Sequence, residues 1–199
     1  MNPNETGHKE QVPEVEKNTP PRPYPSQYVR PWAAKNGDQV TIRPIRPNDE
    51  PLMVKFHETL SDRSVYLRYF SSLSLSRRVA HERLLNICLC DYDREMALVA
   101  ERTDPTIGEC QIMGVGRMSK LHSGNEAEVA VLVSDRFQKL GLGHELLRRV
   151  IEIAHDENLS SVSAEVLPDN IAMQVIVKHL GFRVRTSEDL SSVRAFLDL

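Results

Sequence analysis

The chain lacks any apolar run approaching the ~20 residues that would span a bilayer, so no membrane segment is expected. Met1 to Asn18 is polar from the first residue and holds no apolar stretch of a signal peptide. Positive charge is not in excess either, since 25 Lys and Arg face 28 Asp and Glu for a net charge of −3. Nucleic-acid binders carry a basic surface, so no such partner is expected. Cysteine is scarce. Cys88, Cys90 and Cys110 cannot all pair, and Cys88-Leu89-Cys90 has the wrong spacing for a CxxC redox or zinc site. No HxxxH pair or Cys/His array is present, so no metal site is expected. These absences leave a single globular domain with reduced thiols, and the cytoplasm as its expected location.

The organising stretch is residues 129–150. Val129, Val131 and Val133 alternate as in a strand, and the run breaks at Ser134-Asp135. Gln138-Lys139-Leu140-Gly141-Leu142-Gly143 follows, and His144 opens an amphipathic helix carrying Leu146, Leu147 and Val150. Strand, glycine turn and helix start form an anion site, because the first helical N–H groups have no intrahelical acceptor and the dipole favours negative charge there. A dinucleotide GxGxxG fingerprint would need glycine at Leu146, and no Walker A loop is present. Such a hexapeptide also occurs as a plain turn, so its surroundings have to decide.

Residues 1–38 are polar and proline-rich, with Pro20, Pro21, Pro23 and Pro25 close together, and read as an extended or disordered extension. Tyr28, Val29 and Trp32 are its candidate anchors, and Lys35-Asn36-Gly37-Asp38 reads as a turn. The domain is placed at residues 39–199. Its first strand is read over 39–45, followed by a helix that Asn48 or Asp49 could cap. A second helix is read over 61–69 and a third after Ser74 or Ser76. Strands follow over 96–100, 107–118 and 126–134, with Gly114 and Gly116 suggesting a bulge or close backbone packing. After the glycine loop and its helix come a strand over 161–167 and a helix from Asn170 to His179, stopped by Gly181. Two strands over 182–185 and 192–197 close the chain. Helices inside a mostly antiparallel run of strands imply an α/β (α+β) fold, with helices on both faces of one mixed sheet.

The loop, read as Gln/Arg-x-x-Gly-x-Gly/Ala, and this order of elements resemble the GNAT N-acetyltransferase superfamily. Arg43 to Leu52, Asp91 to Ala100 and Ala127 to Val133 are similar to one branch of it, the bacterial protein lysine acetyltransferases, often fused to an acyl-CoA synthetase-like domain. The resemblance implies acetyl-CoA as co-substrate and a protein lysine as acceptor, with an acyl-CoA synthetase as candidate partner. It also implies that the backbone of Val131, Leu132 and Val133 runs beside the pantetheine arm. Gln138, Lys139, Leu140, Gly141, Leu142, Gly143 and His144 would hold the pyrophosphate, and Asn170 would contact the pantetheine or thioester end. The Tyr that many members use as general acid is replaced here by Val177.

Amine acetylation needs a deprotonated nucleophile, and a lysine of ordinary pKa ~10.4 is almost wholly protonated at neutral pH. A carboxylate must take that proton, directly or through water. Glu126, Glu128, Ala130 and Leu132 share one face of their strand. From the strand alone, Glu128 could be a solvated side chain paired with a cross-strand cation such as Arg117. The resemblance makes Glu128 the general base instead, with Glu126 its understudy. A small-amine acetyltransferase and a non-catalytic acetyl-CoA sensor are the rival readings.

Overall fold

The computed structural model describes residues 22–122, 124–188 and 190–199. Among these, eight strands form one sheet: β1 (Arg30–Ala33), β2 (Gln39–Pro44), β3 (Glu95–Thr103), β4 (Cys110–Lys120), β5 (Glu126–Val133), β6 (Ser161–Val166), β7 (Arg183–Thr186) and β8 (Val193–Asp198). Their order is β1-β2-β3-β4-β5-β6-β8-β7. Every neighbouring pair is antiparallel except β5 and β6, which run parallel. The expected mixed, mostly antiparallel fold is the one observed.

Alternation along the strands builds two cores. Met96, Leu98 and Ala100 of β3 join Ala127 and Val129 of β5 on one face. They pack beneath α5 (Leu142–Asp156) and α6 (Ile171–His179), whose Leu146, Val150 and Val177 are fully buried. Ala97 and Val99 of β3 and Leu132 of β5 point the other way. That face is covered by α1 (Glu50–Glu58), α2 (Asp62–Tyr69), α3 (Leu75–Arg78) and α4 (His81–Cys88). The single helix expected after Ser74 or Ser76 is thus two, broken at Val79 and Ala80.

Gly114 and Gly116 meet both expectations placed on them. The β3–β4 register shifts between Ala100 and Glu101, beside the Ala100–Gly114 pair. A Cβ on Gly114 would lie 3.1 Å from both Leu132 O and Leu146 Cδ1, so α5 presses directly on the β4 backbone. Asp49 stands at the N-cap of α1 as expected, but its side chain makes no cap bond to that helix. It is buried and accepts Arg43 Nη1 at 2.7 Å, Arg43 Nη2 at 2.8 Å and the Arg46 amide at 2.7 Å. Arg43 also reaches Glu101. A guanidinium that is only 2% exposed needs such partners, and this need outweighs a helix cap.

Residues 1–21 lie outside the described residues, as does that part of the expected extension. Residues 22–38 do not form a loose tail. β1 pairs with β2 through Arg30↔Ile42 to Ala33↔Gln39, so the sheet begins ahead of the boundary expected at residue 39. Tyr28 is buried in the core under α5, and Arg149 of α5 donates to the Arg30 and Pro31 carbonyls at 3.1 and 3.0 Å. The thiols are free and differ in exposure, with Cys88 buried and Cys110 exposed. No helix among the described residues is long and apolar enough to cross a membrane.

Candidate active site

The parallel pair β5–β6 holds only through Glu126↔Ser161, Ala127↔Val162 and Glu128↔Ser163. Beyond Glu128 the strands part, leaving the β5 edge from Val129 to Val133 without a partner on that side. A cleft of about 990 Å³ opens there. Its floor is Val131, Leu132 and Val133, and its head is the loop Gln138, Lys139, Leu140 and Gly141 with Gly143 and His144 of α5. One side is α6, whose Ile171 and Val175 are 62% and 45% exposed, and Asn170 at its start. The other is α2, with Ser64, Leu67 and Arg68.

The loop geometry follows from its sequence. Lys139 has φ +63° and Gly141 has φ +90°, so the chain reverses sharply before α5 begins. Side-chain capping is missing at this helix start, and the amides of Leu142, Gly143 and His144 have no intrahelical acceptor. They are open donors at the head of the cleft. A Cβ on Gly143 would press on Ile176 Cδ1 at 3.3 Å, so glycine here keeps α5 and α6 close. Leu142 is the one expected loop residue that does not line the cleft. Its side chain is 1% exposed and belongs to the core, leaving only its amide for a ligand.

Glu128 sits at the vertex of the strand separation, opposite Ser119 on β4 and Ser163 on β6. It is exposed and lies on the α1–α4 face by alternation from Leu132. The cross-strand partner suggested by its position is taken elsewhere, because Arg117 pairs with Glu95. Among the described residues no hydrogen bond or ion pair engages the Glu128 carboxylate. Burial pulls the Arg68 guanidinium below its ordinary range; Tyr69 and Glu128 attract its charge, while Arg117 and Arg83 oppose it.

Residues 39–183, nearly three quarters of the chain, match the acetyltransferase (GNAT) domain family. The protein is a GNAT N-acetyltransferase. Its structure resembles the GNAT domain of Streptomyces lividans PAT with a TM-score of 0.77 and 26% identity, covering 88% of this chain and 99% of that one. An acetyltransferase of Pseudomonas aeruginosa is 28% identical over 147 residues, 74% of this chain and 76% of the relative. Acetyltransferase Pat of Mycolicibacterium smegmatis is 28% identical over 169 residues, 85% of this chain but only 48% of the relative. The GNAT chain therefore spans about half of that longer protein.

Sequence reasoning missed the α2 wall of this GNAT cleft and what holds it. Ser61 and Ser64 donate to Asp135 Oδ1 at 2.7 and 2.9 Å, and the Ser61 amide donates to Oδ2 at 2.9 Å. Burial pushes the Asp135 carboxyl up, but these three donors outweigh it and leave the group below its ordinary pKa. Gln138 completes the clasp, giving its amide to Ser64 Oγ at 3.1 Å and Val133 O at 3.2 Å. Partners separated by 71 to 74 residues have no local signature. Asn170 likewise caps α6, its Oδ1 accepting from the Met173 amide.

Proposed function

We propose that this protein transfers an acetyl group from acetyl-CoA directly to a protein lysine, with Glu128 as general base. The position of Glu128 supports the reading: it is the last β5 residue paired with β6, just ahead of the open β5 edge whose Val131 to Val133 floor the cleft. Among the described residues its carboxylate has no hydrogen-bond or ion-pair partner, although Glu128 does not itself line the cleft. The cleft suits the co-substrate chemically. Open amides at the α5 start suit a diphosphate, apolar Ile171 and Val175 suit the pantetheine arm, and the free β5 edge can pair with its amides. Glu128 takes the proton of the lysine ammonium, and the neutral amine attacks the thioester carbonyl. The C–N bond forms and the C–S bond breaks; the attacking nitrogen gives up its second proton as it becomes the amide, and the departing thiolate takes up one proton from solvent. Backbone N–H groups near Val131 are the candidate donors to the developing oxyanion. Val177 has an alkyl side chain with no proton to give, and a thiolate is a good enough leaving group without an acid.

An acyl-CoA synthetase is the proposed acceptor, supported by the similarity of the Arg43–Leu52, Asp91–Ala100 and Ala127–Val133 stretches to the lysine-acetylating branch. The deciding experiment is thiol release from acetyl-CoA with a panel of acyl-CoA synthetases, followed by mass spectrometry for acetyl-lysine. Modification of one active-site lysine is expected. Thiol release with free amines, and none with any protein, would replace this reading with a small-amine enzyme.

A further inference from the structure

The hairpin β1–β2 lies ahead of, or at the start of, the family match at residue 39, yet it reaches the glycine loop. The Lys35 amide donates to the Leu140 carbonyl at 3.3 Å. A Cβ on Gly141 would lie 3.5 Å from Lys35 Cε and 3.6 Å from Trp32 Cζ2. Trp32, half-buried, and Lys35, exposed, line the same cleft as Lys139 and His144. The turn that carries Lys35 is braced. Gly37 has φ +89°, Asn36 and Asp38 bond to each other at 3.0 Å, and Asp38 pairs with Arg102.

The nearby carboxylates are already occupied. Asp38 serves Arg102, Asp135 serves Ser61 and Ser64, and Glu145 serves Arg148 and Arg149. Among the described residues Lys35 and Lys139 have no ion-pair partner, so two ammonium groups and an indole edge stand beside the open amides. The amides can serve one anionic group, the diphosphate. Two further cations and a flat apolar ring suit a second phosphate and a purine. Coenzyme A carries both, as its adenosine 3′-phosphate.

We propose that the β1–β2 hairpin is the seat of the adenosine 3′-phosphate, with Lys35 and Lys139 taking the phosphate and Trp32 packing against the adenine. The proposal rests on acetyl-CoA being the co-substrate. It makes the hairpin a specificity device that selects coenzyme A over its truncated forms.

The test uses the full chain and three ligands: acetyl-CoA, 3′-dephospho-acetyl-CoA and acetyl-4′-phosphopantetheine. Calorimetry measures affinity. Trp32 is the only tryptophan, so intrinsic emission reports on this seat alone. Acetyl-CoA should bind about tenfold more tightly than the dephospho form, the worth of one charge-assisted contact. Lys35→Ala should close most of that gap and leave phosphopantetheine affinity unchanged, while Lys35→Arg retains it. Emission should change with both adenosine-bearing ligands and stay constant with phosphopantetheine. Equal affinity of the protein for acetyl-CoA and its dephospho form would overturn the seat while leaving the co-substrate standing. A Lys35→Ala variant that weakens all three ligands alike would overturn it too. If none of the three binds, the co-substrate assignment falls and takes the seat with it.

Discussion

Glu128 and His57 stand at opposite extremes of exposure. Glu128 is exposed and has no hydrogen-bond or ion-pair partner among the described residues, which leaves its carboxylate within reach of an incoming amine. Glu128→Gln should lower turnover ~10²–10⁴-fold at pH 7 with acetyl-CoA affinity unchanged, and part of the loss should return at high pH as the amine loses its proton unaided. Full activity in the variant would remove the base assignment. His57 on α1 is 1% exposed, and neither ring nitrogen has a hydrogen-bond partner among the described residues. Burial, reinforced by Arg83 and Arg78, pulls its pKa down to about 4, against ~6.5 in an unfolded chain. Between those values the unfolded chain holds more protons, so this contribution is whole above pH 6.5 and is lost as pH falls towards 4. Its size is ~3 kcal/mol. Urea denaturation across that range should show the native chain weakening more steeply than His57→Leu; parallel slopes would rule the histidine out. The sequence shows seven histidines, and spacing alone could not tell His57, sealed in the core, from His81, which meets Glu50 at 2.6 Å on the surface.

Among the elements, period-two and helical patterns made β2–β6 and α5–α6 legible, because each buries one face against a partner that demands apolar residues there. The features that escaped depend on distant partners. Asp49 has the residue type and position of a cap, but Arg43 claims it. β1 contains Pro31 and is exposed along most of its length, so it has no alternating signal; its place comes from hydrogen bonds to β2. The glycines of β4 were legible as an anomaly, and the packing of α5 supplies the cause. Gly114→Ala should cost ~1–3 kcal/mol, since its Cβ would meet the Leu132 carbonyl oxygen at 3.1 Å, and a backbone oxygen in a paired strand cannot step aside as a side chain can. Denaturant midpoints would measure the loss. An unchanged midpoint would mean that α5 can lift from β4 at no cost, and that its N-terminus is not rigidly placed over the cleft.

At the scale of the whole molecule, the glycine loop is positioned from both of its sides. α2 is clasped to the chain after β5 through Asp135 and Gln138, and the N-terminal hairpin closes over the loop through Lys35 and Trp32. The same hairpin supports α5 from below. Arg149 is 7% exposed, and its two terminal nitrogens rely on the Arg30 and Pro31 carbonyls, Glu145 taking only Nε. Farther along, Arg22 and Lys120 both reach the Glu157 carboxylate just beyond α5, at 2.7 and 2.6 Å, while its side chain is only 4% exposed. A chain starting at Gln39 would keep the family-matched segment and all of the expected domain, yet it would take the Arg30 and Pro31 carbonyls from Arg149 and Arg22 from Glu157, leaving them only Glu145 and Lys120, and would uncover Tyr28's pocket. Hydrogen bonds to charged groups are worth ~1.5–3 kcal/mol each, so that chain should be less stable by several kcal/mol and should bind acetyl-CoA more weakly. Unfolding in urea and calorimetry on the two lengths would measure both effects. If stability falls but affinity does not, the hairpin supports the helix without shaping the cleft; if neither changes, the sheet needs no strand before β2. The contacts argue for both losses together, because the residues that hold α5 in place and those that reach its first turn belong to one short hairpin.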